Sequence, residues 1–160
     1  MKLTRGGEYA VLGVLYLAQQ EVGRVSVIST IAKAQDVPPL FLAKVFQLLT
    51  KAGIVKSHRG IKGGFTLARE PGEITMKEVI EAIEGPISLC RDMLSPMQTI
   101  WNEAQERMTE VLSRANFADL AKAERKMRTT SALSPHLPRG IDAPAHGASP
   151  LHPELLTTGT

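Results

Sequence analysis

The stretch from residue 44 to residue 69 constrains the fold most, because it predicts a helix, a stop and a β-hairpin in immediate succession. It reads KVFQLLTKAGIVKSHRGIKGGFTLAR. Apolar residues at helical spacing from Val45 to Ala52 predict the helix, and Gly53 can take the left-handed conformation that ends it. Strands are predicted to begin at Ile54 and Phe65, with a tight, basic, glycine-rich tip between them. This succession indicates a winged helix; a solvated hairpin with incidental charge is the alternative.

A second helix is predicted directly before the first. Ser26 is the expected N-cap, and apolar residues at helical spacing carry the helix to about Gln35. The run from Asp36 to Pro39 then breaks the chain, and Pro39 suits the first turn of the next helix because its missing N–H would be unpaired there. A helix, a short turn and a helix make a helix-turn-helix, whose second helix, about Pro39 to Ala52, enters the major groove of DNA.

The outward side of that second helix carries the candidates for contact with DNA. Gln47 has the donor and acceptor that pair with adenine, and Lys44 can bind guanine or a phosphate. The residues expected in the core are Leu42, Val45, Phe46, Leu48 and Leu49. The outward residues are Leu40, Phe41, Lys44, Gln47 and Lys51.

Positive charge is concentrated in the same part of the chain. The formal net charge is only +3, but residues 1–62 hold nine lysines and arginines against three acids, a net charge of +6. Residues 63–128 carry −2 and the remainder −1. Such a distribution favours double-stranded DNA as the partner, with an affinity that falls steeply as salt rises.

Composition predicts three regions. Residues 1–72 are the winged helix-turn-helix region, residues 73–128 are a linker helix and dimerisation helices, and residues 129–160, with five of the ten prolines, are a disordered tail. No apolar stretch is long enough for a membrane span, and no signal-peptidase-like site is present. A single cysteine excludes a disulfide framework, which fits a cytoplasmic protein.

A long apolar stripe predicts a homodimer. Thr75 and Glu78 have the spacing of a capping box that begins one helix, and Asn116 is expected to cap the last. Between them, a stripe of about five turns exceeds what a small winged helix needs for its own core, and two-fold dimers match palindromic sites. An ordinary core helix is the alternative. The residues expected to form the dimer are Ile100, Trp101, Ala104, Met108, Val111 and Leu112.

Three segments of the chain resemble the IscR/NsrR/CymR-type winged-helix transcription regulators of bacteria. They are MKLTRGGEYAVLGVLYLA, PPLFLAKVFQLLTKAGIVKSHRGIKGGFTLAR, and TMKEVIEAIEGPISL followed by WNEAQERMTEVL and FADL. The resemblance covers residues 1 to about 121. It implies a mainly α protein with a small β-wing, built as a winged helix-turn-helix domain plus a long dimerisation helix, and commonly acting as a repressor. The DNA contacts implied by position are Thr4, Pro39, Phe41, Lys44, Gln47, Arg59, Gly60 and Lys62.

The sensor region departs from the cluster-binding members of that family, which place three cysteines in a loop before the dimer helix. Aligned on Trp101, the last cysteine is replaced by Ser95 and a nearby histidine by Gln98. Serine and glutamine are poor iron ligands, whereas soft thiolates hold iron–sulfur clusters. We therefore expect no cofactor.

Cys90 remains near the first ligand position and is the sensor candidate. Arg91 beside it favours the thiolate, whereas an inert half-buried thiol is the alternative. A cluster with mixed ligands, drawing on Cys90, Glu8 and Asp92, is a second alternative; no other metal site is expected. Oxidation, a small ligand or a regulatory partner protein are the modes of sensing left open.

Three classes of function follow from the residues. A DNA-binding regulator accounts for the helix-turn-helix and the charge together. A winged-helix module that contacts only proteins is the alternative. An enzyme is not expected, because the chain has no catalytic triad, no paired carboxylates and no phosphate-binding loop that opens a helix.

Overall fold

The computed structural model describes residues 3–60, 63–89 and 97–132, and it is mainly helical with a two-stranded antiparallel hairpin. The predicted fold class is therefore confirmed. None of the described helices is both long and apolar enough to cross a membrane. The elements are α1 (Arg5–Ala18), α2 (Ile28–Gln35), α3 (Pro39–Lys51), β1 (Val55–His58), β2 (Gly64–Leu67), a 3-10 turn (Pro71–Glu73), α4 (Met76–Glu84), α5 (Met97–Arg114) and α6 (Phe117–Ala132).

Helix α1 lies at the centre and packs against α2, α3, α4, α6 and β2. Ala10 and Val14 are fully buried. Gly13 lets α3 approach, since a Cβ there would lie 2.5 Å from Cε2 of Phe46. Val11, Leu12 and Leu15, on other sides of α1, are partly buried against the same core.

The helix-turn-helix forms as the sequence predicts, apart from its first cap. Asp36 ends α2 in the left-handed conformation at φ 53°, and Pro39 opens α3. Val27, not Ser26, is the N-cap of α2, and its side chain makes no capping hydrogen bond. The prediction for Ser26 is wrong because its backbone pairs with Phe65 of the hairpin, through bonds of 2.9 and 3.0 Å.

The wing is a hairpin that runs in register from Val55 opposite Leu67 to His58 opposite Gly64. Gly53 ends the preceding helix at φ 69°, as predicted. Ile54, the predicted first strand residue, lies just before β1 and is buried.

Helix α4 begins with the predicted capping box between Thr75 and Glu78. The junction between α5 and α6 is fastened to the start of α4, because the Met76 N–H donates to the Ala115 carbonyl at 2.8 Å. The Asn116 side chain accepts a hydrogen bond from the Asp119 N–H, as expected of a cap. Phe117 is thereby placed in the core, where it is fully buried.

The boundary predicted for the tail at residue 129 is too early, since α6 continues to Ala132. The Thr129 and Thr130 hydroxyls donate to carbonyls one turn back, both at 3.0 Å. The first proline of the tail, which would stop a helix, comes only at Pro135. The tail from residue 133 onward lies outside the described residues.

Candidate nucleic-acid interface

One side of α3 is presented to solvent as a straight row. Leu40, Lys44, Gln47 and Lys51 recur at intervals of four, three and four residues, so they share one face of the helix, and all four are exposed. Four of the five predicted core residues lie on the opposite face and are buried, namely Leu42, Val45, Phe46 and Leu49.

Leu48 was expected in the core, and this expectation is wrong. Its side chain is 41% exposed, because it stands seven residues after Phe41 on the same flank of α3. Phe41 is also exposed, and its ring meets the edge of Tyr9 with centroids 5.6 Å apart. Arg5, exposed at the start of α1, is always protonated in proteins. Its hydrogen bond to Tyr9 raises the pKa of its guanidinium further.

The described cations of the first part of the chain are free for a partner. Each ion pair between described residues joins two residues of the range 69–128. Within the described chain, Lys44, Lys51, Lys56 and Arg59 therefore have no ion-pair partner, and all four are exposed.

The wing tip carries Arg59 and Gly60 into solvent. Gly60 has φ 115°, a conformation that L-residues rarely adopt, and its carbonyl accepts from the Gly63 N–H at 2.9 Å. Lys62, the remaining predicted wing contact, lies outside the described residues.

Thr4 is the N-cap of α1, and both of its hydrogen-bond donors bond to another residue of the same chain. Its N–H and its hydroxyl both donate to Oε1 of Glu84, at 3.1 and 2.6 Å, while the hydroxyl accepts from the Gly7 N–H. Gly7 leaves room for this link, since a Cβ there would lie 2.6 Å from the Glu84 oxygen. Sequence reasoning missed this bond because 80 residues separate its partners.

Helix α5 leaves its predicted dimer face uncovered. None of its residues is buried within the described chain. Ile100 and Val111 are 69% and 65% exposed, Trp101 and Ala104 are exposed, and Met108 and Leu112 are half-buried.

The predicted sensor lies partly outside the described residues, which do not include Cys90, Asp92 and Ser95. The segment just before Cys90 is held by two hydrogen bonds. The N–H of Ile87 donates to Glu81 of α4, and the N–H of Leu89 donates to Gln105 of α5.

The two other residues weighed for that region are both described. Gln98 lies in the first turn of α5 and donates to Asn102 at 3.3 Å. Glu8 is exposed in the first turn of α1.

A recognition helix with a free basic row, followed by a basic hairpin, defines a winged helix-turn-helix DNA-binding protein. The chain belongs to the Rrf2 family, described as iron-dependent transcriptional regulators, whose family model matches residues 3–123. The predicted family and the expectation of a regulator, not an enzyme, are thus confirmed.

Individual relatives agree with this assignment. The HTH-type transcriptional regulator Rv1287 of Mycobacterium tuberculosis is 30% identical over 159 residues, with 93% of this chain and 98% of the relative covered. The structure of CymR, the global cysteine regulator of Bacillus subtilis, superposes with a TM-score of 0.71 at 28% identity, covering 77% of this chain and 98% of CymR. The structure of IscR from T. potens gives a TM-score of 0.69 at 29% identity, with coverages of 80% and 91%.

The donor set of this chain does not fit a cluster held by cysteines. The sequence has one cysteine in total, and Gln98 in the first turn of α5 offers an amide already bonded to Asn102. In residues 3–60, 63–89 and 97–132, no three His, Cys, Asp or Glu side chains are grouped so that they could hold a metal ion.

Proposed function

We propose that the protein is a homodimeric repressor that binds a palindromic DNA operator in the cytoplasm. The observation that carries this proposal is the exposed row on α3, in which Lys44 and Lys51 have no ion-pair partner within the described residues. Recognition helices present such a row to the major groove. The uncovered apolar face of α5 supports a two-fold dimer, the symmetry that palindromic sites require.

The residues of the interface take different roles in this proposal. Gln47 pairs with a base, Lys44 binds guanine or a phosphate, and Lys51 binds a phosphate. The wing residues Arg59, Gly60 and Lys62 follow the minor groove. The other contacts that the resemblance implies are Thr4 at the start of α1 and Pro39 and Phe41 in the first turn of α3.

Duplexes selected from a randomised library test these roles. Gln47→Ala should change the selected sequence, at a cost of about 1–3 kcal/mol per lost base contact, whereas Arg59→Ala should weaken binding to every sequence and flatten its salt dependence. If both variants lose the same affinity on selected DNA and on random DNA, the roles are assigned wrongly. If wild type shows no salt-sensitive retention on DNA, the fold serves protein contacts instead.

Sensing is proposed to act through Cys90, through a small ligand, or through a partner protein. The hydrogen bond from the Leu89 N–H to Gln105 supports this location, because it joins the chain just before Cys90 to the proposed dimer helix α5. Oxidation is tested by comparing DNA binding of wild type and Cys90→Ser before and after mild peroxide. An unchanged oxidant response in Cys90→Ser would remove the thiol switch.

The cofactor is tested separately. Protein purified without oxygen should be colourless, contain much less than one iron per monomer, and bind DNA without addition. A visible charge-transfer band that Cys90→Ser loses would instead establish a cluster with mixed ligands.

A further inference from the structure

Leu40 is 84% exposed, the highest exposure of any large apolar side chain on α3. A single exposed leucine is ordinary on a protein surface. Leu40, however, stands at the head of the row that continues with Lys44, Gln47 and Lys51 and therefore faces the same way as the proposed DNA contacts.

The exposed surface of α3 changes character along the helix. Its first turn exposes only Pro39, Leu40 and Phe41 and holds no acidic residue, whereas polar and cationic side chains begin one turn later with Lys44. The N-terminal residues of a recognition helix are those that reach base edges. The apolar end is therefore the end that meets the bases.

We infer that Leu40 is a specificity-determining residue that packs on the C5 methyl group of a thymine in each half-site. The thymine methyl is the one apolar group that base pairs present in the major groove, so an apolar reader at this position matches T·A over the other pairs. Phe41 beside it is held by its edge-on contact with Tyr9, so the ring that adjoins Leu40 has a fixed position. This inference rests on the proposed function and adds the base that is read.

Two steps test the inference, beginning with selection of duplexes from a randomised library by wild type and by Leu40→Ala. Wild type should enrich thymine at one pair of symmetric positions, and Leu40→Ala should keep the rest of the operator but lose that preference. Leu40 is exposed, so the variant should melt at the wild-type temperature, and Leu40→Met, which keeps an apolar side chain, should retain the preference.

The second step replaces that thymine by deoxyuridine, which removes only the methyl group. Wild-type affinity should fall about fourfold for one half-site and about fifteenfold for both, from the usual value of a buried methylene. The affinity of Leu40→Ala should not change when the thymine is replaced by deoxyuridine. Val22→Ala, which shortens an apolar side chain that is 86% exposed in the loop after α1, should respond as wild type does.

The outcomes separate this inference from the proposal beneath it. Equal losses on deoxyuridine for wild type and Leu40→Ala, or no loss for wild type, would overturn the role of Leu40 while leaving an operator-binding protein. Failure of wild type to enrich any sequence would overturn both.

Discussion

At the scale of single residues, the wing depends on Gly64, where the start of β2 lies against Ser26, two residues before α2. A Cβ at Gly64 would lie 2.4 Å from the carbonyl oxygen of Ser26 and 3.0 Å from a methyl of Val25. The same oxygen accepts the Phe65 N–H, so it cannot move aside without loss of the bridge that docks the hairpin on the body.

Gly64→Ala should therefore destabilise the protein by about 2 kcal/mol, the usual cost of an overpacked contact. Gly72→Ala is the matched control and should be close to neutral, since the atom nearest to its Cβ, on Ala118, would be 3.9 Å away. Urea unfolding of both variants gives the comparison. Equal stabilities would show that the hairpin does not dock on Ser26.

Glu78 makes stability depend on pH. Burial opposes its charged form, but hydrogen bonds from the Thr75 N–H at 2.8 Å and from Arg69 at 2.9 Å outweigh burial, so the pKa of Glu78 lies below its ordinary value. A carboxyl with a lowered pKa in the folded state stabilises the protein above its unfolded pKa. This stabilisation is lost as the pH falls through the folded value.

Glu78→Gln should cost roughly 0.5 kcal/mol at neutral pH, a small value because the pair is more than one third exposed. The difference from wild type should shrink as the pH falls through the lowered pKa of Glu78, below which both side chains are neutral. Glu106→Gln, which alters an exposed carboxylate without an ion-pair partner in the described chain, is the control. A Glu78→Gln deficit that persists in acid would contradict the account.

The two predicted caps show what local pattern can and cannot reveal. Thr75 and Glu78 are three residues apart, so their capping box was visible in the sequence. Ser26 is equally well placed before its helix, but its backbone is taken by Phe65, 39 positions away. The link between Thr4 and Glu84 escaped prediction for the same reason.

At the scale of elements, the proposed dimer rests on α5. Val111 and Ile100 lie on a face that the described chain leaves open. Val111→Glu should therefore leave the fold of the subunit intact but place an unpaired charge in the proposed interface, giving a monomer.

Ser113→Glu, which adds the same charge on the opposite side of α5, should stay dimeric. Sedimentation of both variants measures the effect. A Val111→Glu protein that remains a dimer would place the interface elsewhere.

The predicted ends of the helices agree with the structure wherever the sequence contains a residue that begins or ends a helix strongly. Gly53 and Pro39 marked the ends of α3 closely because their backbones restrict what can follow. The end of α6 had no such signal, so polar composition alone placed it four residues too early. The exposure of Leu48 was missed because periodicity cannot show how far a neighbouring element extends over a helix.

At the scale of the whole molecule, charge is divided between two parts of the chain. Acids and bases of residues 69–128 pair with one another, whereas the described cations of the first sixty residues form no ion pair with described residues. The sequence revealed the excess of charge in the first part. Helical spacing also placed Lys44 and Lys51 on the outward side of α3, but only the structure shows that neither has an ion-pair partner among the described residues.

The salt dependence of DNA binding tests most directly whether this free basic face is the interface. A double variant of Lys44→Ala and Lys51→Ala should reduce the slope of log affinity against log salt by about two, roughly one for each lost phosphate contact. Lys126→Ala removes an exposed cation from α6 and should leave the slope unchanged. An unchanged slope in the double variant, or an equal reduction per charge with Lys126→Ala, would contradict the account.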